Sequence, residues 1–324
     1  MNKTYIPKEI SWLSFNERVL QEAENKDIPL IERFKFMGIY SNNLDEYFRV
    51  RVATLKRISL FGSKSKEILG YSPKATLKKI QETVLLQNTR FEKNYMKLLK
   101  ELENHKIHII NEKQLNPEQI GFLQDYFHKE VRTRLMPCLI EKESELPNLK
   151  DDAIYLAVYL SKKDSQKKRF ALLEVPTDIL PRFIVLPEKG DDKYIIFLDD
   201  IIRLGLKDIF FIFDFDDISA FTIKLTKDAE LEIADDISEN YIDKLSKSLQ
   251  QRKKGSPVRF IYDRCLPEDL LKIITRKLNF GPDDVIIPSN RYHNFKDFMK
   301  FPKLGQKQFY NEDLFPVYHR DKVK

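Results

Sequence analysis

The spacing of hydrophobic residues changes near residue 107, and this change most constrains the fold. From residue 7 to about residue 106 the pattern is helical, with few internal glycines or prolines and no alternating β-branched run. Beyond that point, short alternating runs typical of β-strands dominate. The sequence therefore predicts a multidomain α and α+β protein: an N-terminal antiparallel helical bundle over residues 1–106, an α+β head domain over 107–316 and a linker over 317–324.

Turn-forming residues divide the bundle into three predicted helices. The first is a short stretch that follows Ser14 and reaches Leu20, the second spans about 29–60, and a polar break at 62–71 follows. Ser72 and Pro73 supply an N-cap and a first-turn proline for the third helix. The apolar residues of this helix recur at steps of three and four, which indicates one buried stripe. The stripe consists of Leu77, Ile80, Val84, Phe91, Tyr95, Leu98 and Leu102.

The second part of the chain combines strand and helix signals. Strands are predicted at 154–160, 169–175, 182–186, 194–198, 209–215, 220–226 and 258–262. Helices are predicted at 117–135, 237–251 and 267–278. This mixture predicts a mixed or mainly antiparallel sheet. From Gly281 onward the chain is rich in Pro, Asn and aromatic residues with little periodicity, which predicts an extended arm.

Composition excludes several classes of protein. The 56 Lys and Arg residues exceed the 50 Asp and Glu residues only slightly, so the net charge of +6 is weaker than that of a dedicated nucleic-acid binder. Cys138 and Cys265 form no C-x-x-C motif, which argues against a zinc cluster or a disulfide framework. Neither a Walker-type loop, a dinucleotide fingerprint nor an export signal occurs. A cytoplasmic location without a membrane span is expected, and peripheral membrane association stays open.

The most informative segment is Ile39 to Arg51, which contains the adjacent asparagines Asn42 and Asn43. Short amides are unusual inside an apolar helical run, because they compete for backbone hydrogen bonds. From residue types alone, a local kink or an amide that bonds a neighbouring helix is favoured, and a ligand contact stays open as the alternative.

Several motifs occur in the same order as in polyphosphate kinases, which this chain resembles over essentially its whole length. In the bundle they are ISWLSFNERVLQEA, PLIER and GIYSNNLDEYFRVR. Further on they are INEKQL, DDAIYLAV, RFALLEVP, PRF, LDDIIR, TKDAE, PVRFIYD and RYHNFKDFMKFP. The resemblance implies the N-terminal half of an enzyme that reversibly transfers the γ-phosphate of ATP to inorganic polyphosphate through a phosphohistidine.

The resemblance also implies roles for individual residues and partners. Asn43 would contact the ATP base, and an amide suits that role because it offers a donor and an acceptor without charge. The phosphorylated histidine, its partner histidine and the arginines that bind Mg²⁺ and phosphate would lie outside this chain. Catalytic residues and metal ligands are therefore expected to be absent, and the chain alone is expected to be inactive. A homodimer or higher homo-oligomer is implied, with the head domain supporting dimer contacts and polyphosphate passage.

Basic residues supply further candidate phosphate contacts. Arg49 and Arg51 follow the asparagines together with Lys56 and Arg57, and such a face would either attract phosphates or be a solvated face paired with acidic neighbours. Arg291, His293 and Lys296 form a second candidate group. His293 is interpreted as structural or as lining a phosphate path.

Other polar clusters have ordinary interpretations. His105 and His108 lack a third ligand and are expected at the surface. Asp214, Asp216 and Asp217 more often form a turn than a metal site. Lys253 and Lys254 are typical of a helix C-terminus, and neither His128 nor His319 belongs to a motif.

Two functions from other classes remain as alternatives. The positive balance and the many Tyr and Phe residues leave room for a nucleic-acid-binding protein, although no recognised binding motif occurs. The apolar residues of the arm at 281–324 would also suit a non-catalytic interaction module.

Overall fold

A computed structural model describes residues 6–62, 64–141, 145–163, 167–229, 256–281 and 284–312. Within these ranges the helices come first and two sheets with intercalated helices follow, so the predicted fold class is confirmed. The predicted helix at 237–251, Lys253, Lys254, His319 and the predicted linker at 317–324 lie outside the described residues.

The bundle contains two long helices followed by shorter ones and a third long helix. They are α1 (Lys8–Glu24), α2 (Leu30–Tyr47), α3 (Ala53–Ser59), α4 (Lys64–Leu69) and α5 (Pro73–Asn104). A π-helical turn (Phe48–Val52) joins α2 to α3, so the predicted second helix is continuous but irregular. The prediction of a polar break at 62–71 was wrong in part, because α4 occupies most of it.

Helix α5 follows the sequence prediction closely. The Ser72 hydroxyl accepts a hydrogen bond from the backbone N–H of Ala75 at 3.4 Å, which is the predicted cap. All members of the predicted stripe except Leu77 are buried, and Leu77 packs at the edge of the core. Each buried side chain of this kind stabilises the fold by about 1.5–3 kcal/mol before the loss of conformational entropy is subtracted.

Two mixed sheets form the second part of the chain. The smaller has the order β1 (Ile107–Ile110), β6 (Lys193–Phe197), β5 (Phe183–Val185), and β1 pairs with β6 in parallel. The larger has the order β2 (Cys138–Leu139), β4 (Lys168–Val175), β3 (Ile154–Ser161), β7 (Asp217–Lys227), β8 (Pro257–Asp263), β9 (Val285–Ser289). Its strands are antiparallel except for the parallel pair β8 and β9.

Helices accompany the sheets. They are α6 (Pro117–Tyr126), which continues through a π-helical turn (Phe127–Val131) and a 3₁₀ turn (Arg132–Arg134), α7 (Leu198–Leu204), α8 (Leu206–Ile209) and α9 (Glu268–Lys277). The helices predicted at 117–135 and 267–278 are thus confirmed.

The strand predicted at 209–215 was wrong. The chain leaves α8 and turns, so that Phe210 is buried while Phe211 and Ile212 are exposed. The apolar run at 209–215 was taken for a strand because an apolar composition does not by itself distinguish a buried strand from a turn with exposed apolar side chains. The sequence also missed the short strands β1, β2 and β9 and the helix α7.

Within residues 284–312, the part of this segment that the structure describes, the chain is integrated into the fold and its aromatic residues pack against the bundle. Strand β9 extends the larger sheet, and a 3₁₀ turn (Phe295–Lys300) packs against α2. Phe298 and Phe301 stack on Phe34 of the bundle, with ring centroids 5.4 Å apart in each pair. This packing contradicts the apolar arm surface on which the interaction-module alternative depended.

One hydrophobic cluster joins the bundle to the smaller sheet. It contains Phe34 and Leu98 of the helices, Ile195 and Phe197 of β6, and Phe298. The domain boundary after residue 106 stays a prediction, and the side chains on its two sides share one core.

Candidate functional site

The end of α2 carries a buried carboxylate that connects the bundle to the larger sheet. Asp45 is 4% exposed and accepts hydrogen bonds from Lys224 Nζ of β7 and from Arg259 Nη2 of β8, and both of these cations are 1% exposed. Arg259 also lies over the Phe48 ring, 4.4 Å from its centroid. The π-helical turn starts at Phe48, directly beyond this carboxylate.

The larger sheet presents a polar face to the bundle. On β7, Ile223 and Leu225 pack in the hydrophobic cluster around α9, whereas Lys224 and its alternate neighbour Thr226 lie on the other face. All four side chains are buried. The helices thus cover a face of β7 whose Lys and Thr residues are typical of a strand face exposed to solvent.

Two buried cations therefore share one buried carboxylate. Asp152 also lies near Lys224, 3.9 Å from its Nζ, but it is partly exposed and pairs with Arg49 and Lys296. Burial, reinforced by the charge of Arg259, lowers the pKa of Lys224 despite the attraction of Asp45. Burial opposes ionisation of Asp152, but Lys224 and Arg49 hold its pKa below the usual value.

Beside this cluster is a cavity of about 60 Å³ between α2, α5, the larger sheet and residues 289–295. Three of its lining residues carry buried polar atoms without a hydrogen-bond partner in the described structure: Tyr95 Oη, Arg259 Nε and both ring nitrogens of His293. Buried polar atoms are nearly always hydrogen-bonded, so this concentration of unpaired atoms marks the cavity as a candidate site for ordered water or a ligand.

His293 is 3% exposed, and this burial determines the protonation state of its ring. Burial lowers its pKa to about 3, a shift that the neighbouring Arg182 and Lys224 charges reinforce. The backbone carbonyl of Asn290 lies near the ring but outside hydrogen-bonding geometry. The ring is therefore neutral at physiological pH, with one nitrogen a donor and the other an acceptor.

A second buried ion network lies next to the cavity. Arg182 pairs with Asp199 through Nη2 at 3.1 Å and donates from Nη1 to the Asn294 carbonyl at 2.7 Å. Asn294, with φ of 58°, accepts a hydrogen bond from Lys224 Nζ on its side-chain oxygen at 2.7 Å. Asn294 thus connects the two networks, and an amide residue tolerates this left-handed conformation better than most.

The predicted residue Asn43 lies on α2 facing α1. Its side-chain N–H₂ donates to the Asn16 side-chain oxygen at 3.1 Å, and Asn16 in turn donates to the Tyr40 carbonyl at 3.1 Å. Asn43 is half-buried and Asn42 is exposed. The amide–helix contact considered from the sequence is therefore present, and it uses one of the four hydrogen-bonding positions of the Asn43 amide.

The basic residues after the asparagines make ion pairs with the head region. Arg49 pairs with Asp151 and Asp152 as well as with Glu46 on its own helix. Lys56 pairs with Asp284 and Arg57 pairs with Asp228.

Arg51 is exposed and borders a groove next to the stacked rings of Trp12 and Tyr47, whose centroids are 4.4 Å apart. The predicted basic residues thus do not form one free surface: Arg51 is exposed, whereas Arg49, Lys56 and Arg57 bind acidic residues far along the chain.

The second candidate group is also divided. Arg291 pairs with Glu112 and Asp200. His293 lines the cavity, and Lys296 Nζ lies 3.6 Å from Asp152. These three side chains therefore have different neighbours, and their role as phosphate contacts stays a prediction.

The remaining sequence candidates have local partners. His105 packs on Phe309, and His108 bonds Asp192 at 2.7 Å. Asp214 pairs with Lys162, and the backbone N–H of Lys163 donates to Asp216 at 3.0 Å. Within the described ranges, no three His, Cys, Asp or Glu side chains are grouped to hold a metal ion. Nor is any helix in these ranges long and apolar enough to cross a bilayer.

Sequence reasoning missed Lys224, Arg259 and Tyr95 as site residues, and it considered Asp45 only as one of the acidic neighbours that could pair with the basic helix face. The sequence does contain a signal for Lys224 and Arg259. Lys224 and Arg259 each stand inside a predicted strand among apolar residues, where a buried cation needs a partner.

Family models and curated proteins both match most of this chain. A family model described as "Polyphosphate kinase N-terminal domain" matches residues 5–110, and one described as "Polyphosphate kinase middle domain" matches 118–301. Curated proteins named "Polyphosphate kinase" from Vibrio vulnificus (strain YJ016) and Escherichia coli (strain K12) are 44% and 43% identical over 98% of this chain. The chain spans 45% and 46% of their respective lengths.

A solved structure is also similar to this chain over most of its length. The crystal structure of polyphosphate kinase from Porphyromonas gingivalis matches with a TM-score of 0.78 and 30% sequence identity, covering 98% of this chain and 44% of that protein.

Proposed function

Because this chain belongs to the polyphosphate kinase family, we propose that it forms the N-terminal half of an enzyme that reversibly transfers the γ-phosphate of ATP to inorganic polyphosphate through a phosphohistidine. The observation that carries the proposal is the match of the family's N-terminal and middle domains, in that order, to residues 5–110 and 118–301. The catalytic histidine and the ligands of Mg²⁺ belong to a region outside this chain. Residues 1–324 alone then do not turn over ATP.

In this proposal Asn43 supplies one contact to the ATP base. Its amide binds Asn16 through one N–H, and in the described residues its carbonyl oxygen and second N–H have no partner. A carbonyl and an N–H side by side are complementary to the edge of a heteroaromatic base. The Asn16 contact fixes the amide plane, which reduces the entropy lost when the base binds.

The basic residues contribute unequally to the proposed phosphate contacts. Arg51 is the most accessible, since it is exposed beside a groove. Arg49 and Arg291 are anchored by carboxylates, so a phosphate would have to displace those partners. Lys296 and His293 remain secondary candidates. Dimer contacts and polyphosphate passage through the head region, in the cytoplasm, complete the proposal.

The decisive experiment measures ATP kinetics and stability on variants of the full-length enzyme that contains this chain. Asn43→Ala should raise KM for ATP by about tenfold or less with little effect on kcat, because one neutral hydrogen bond remote from the transferred phosphate is removed. Asn42→Ala, an exposed neighbour, should leave KM unchanged. Asn16→Ala should lower the melting temperature.

Two results would contradict the proposal. A loss of stability in Asn43→Ala without any change in KM would remove Asn43 from the base pocket. Formation of acid-insoluble polyphosphate from radiolabelled ATP by residues 1–324 alone would show that the chemistry does not need another region.

A further inference from the structure

We propose that the cavity between α2, α5 and the larger sheet binds one small oxyanion that carries an acidic proton, namely inorganic phosphate in its hydrogen forms. The site is separate from the base contact of Asn43, which does not line the cavity. Its support comes from unpaired hydrogen-bonding atoms, from charge and from size.

The unpaired atoms around the cavity are mostly donors. Arg259 Nε can only donate, Tyr95 Oη can donate, and the neutral His293 ring offers one N–H. The second His293 nitrogen is an acceptor and needs a hydrogen from the ligand. Hydrogen phosphate satisfies both requirements, because its P–O⁻ oxygens accept and its P–O–H group donates. Sulfate at neutral pH has no such hydrogen.

The charge of the cavity wall favours an anion. Lys224 and Arg259 are both buried, and Asp45 is the one carboxylate that is hydrogen-bonded to both. Glu92 also lines the cavity, but its charge is offset by Arg264, which lies 3.0 Å away. A second buried negative charge would offset the remaining positive charge in a medium where unpaired charges are unfavourable.

The size of the cavity suits a tetrahedral ion. Its volume of about 60 Å³ compares with roughly 10–15 Å³ needed for each ordered water, so there is room for four or more ligand atoms. The polar neighbours Ser289 and Asn290 complete the wall.

The test is titration of the 324-residue protein with inorganic phosphate at constant ionic strength, measured by calorimetry and by the rise of Tm with phosphate concentration. Tyr95→Phe removes one unpaired oxygen and leaves the ring, so it should weaken phosphate binding about tenfold or more. Tyr155→Phe is the matched control, since its hydroxyl bonds Lys150 and Glu174 away from the cavity. This control should leave the affinity unchanged.

Further measurements test which chemical group of the ligand the cavity recognises. Sulfate should bind at least about tenfold more weakly than phosphate, since it leaves the acceptor of His293 unpaired. His293→Leu should reduce this preference. Asn43→Ala should leave phosphate binding intact, so failure of the base contact and failure of this site are distinguishable. No phosphate binding, equal binding of sulfate, or unchanged affinity in Tyr95→Phe would overturn the proposal and leave ordered water as the content of the cavity.

Discussion

Asp45 and Lys224 are separated by 179 positions in the sequence, yet their side chains form a buried ion pair between the bundle and the larger sheet. Arg259 binds the other oxygen of the same carboxylate. This arrangement makes Asp45 the shared carboxylate anchor of two buried cations.

We expect Asp45→Asn to destabilise the protein by about 3–5 kcal/mol, because it leaves both cations buried without a carboxylate. Chemical denaturation would measure the change in the free energy of unfolding. Asp125→Asn is the control, since Asp125 pairs with Lys129 on an exposed helix face at 3.7 Å, and its loss should change stability by less than about 0.5 kcal/mol. Similar values for the two variants would contradict the anchoring role.

The ring of Phe298 should contribute strongly to the core that joins the bundle to the smaller sheet. Phe298→Ala should cost about 3–5 kcal/mol, because it creates a cavity among Phe34, Tyr95 and Phe183. Phe211→Ala, at a ring that is 68% exposed, should have a small effect. If Phe298→Ala were as mild as Phe211→Ala, the segment would be a loosely attached arm after all.

Two glycines provide a matched pair of substitutions. A Cβ atom on Gly205 would lie 2.2 Å from the Phe127 ring, whereas one on Gly121 would meet nothing within 4 Å. Gly205→Ala should therefore destabilise the fold by about 1–3 kcal/mol through steric overlap. Gly121→Ala, inside α6, should stabilise it by up to about 1 kcal/mol through helix propensity. Thermal unfolding of both variants checks the opposite signs.

The buried His293 should make stability depend on pH. Its folded pKa is lowered to about 3, so between about pH 6.5 and 3 the unfolded chain binds a proton that the folded protein does not. Stability should fall as pH decreases below 6.5, with a slope of up to about 1.4 kcal/mol per pH unit from this residue.

Charged groups surround His293. Arg182 and Lys224 lower its pKa further, and the pKa of Asp199 is held low by Arg182 and Arg203 despite its burial. The comparison is made between pH 5 and 6.5. Urea unfolding in this window should show a flatter profile for His293→Leu than for the unmodified protein, and identical slopes would contradict the assignment.

The sequence predicted the helices well where local signals decide the structure. Ser72 and Pro73 begin α5, and its apolar spacing alone shows the face that is buried. The strands β3, β4 and β7 were equally visible, because apolar and β-branched residues recur in short runs between turns.

The cavity was not predictable in the same way, because its parts come from distant positions. Tyr95 was correctly placed on the buried stripe, but its unpaired hydroxyl becomes visible only when His293 and Arg259 are brought beside it. The polar face of β7 would ordinarily be assigned to solvent, and only the tertiary structure shows that α2 covers it. The proposed role of Asn43 comes from the resemblance to a family, and the structure adds its contact with Asn16.

The return of residues 295–301 to α2 has a consequence for synthesis on the ribosome. The last helix of the bundle ends at Asn104, but Phe298 and Phe301, which complete the aromatic packing around Phe34, are made about 190 residues later. At about 5–20 residues per second, this delay lasts on the order of 10–40 seconds. During that interval the nascent bundle exposes an apolar surface that only its own unfinished chain can cover, so this surface is a natural target for chaperones.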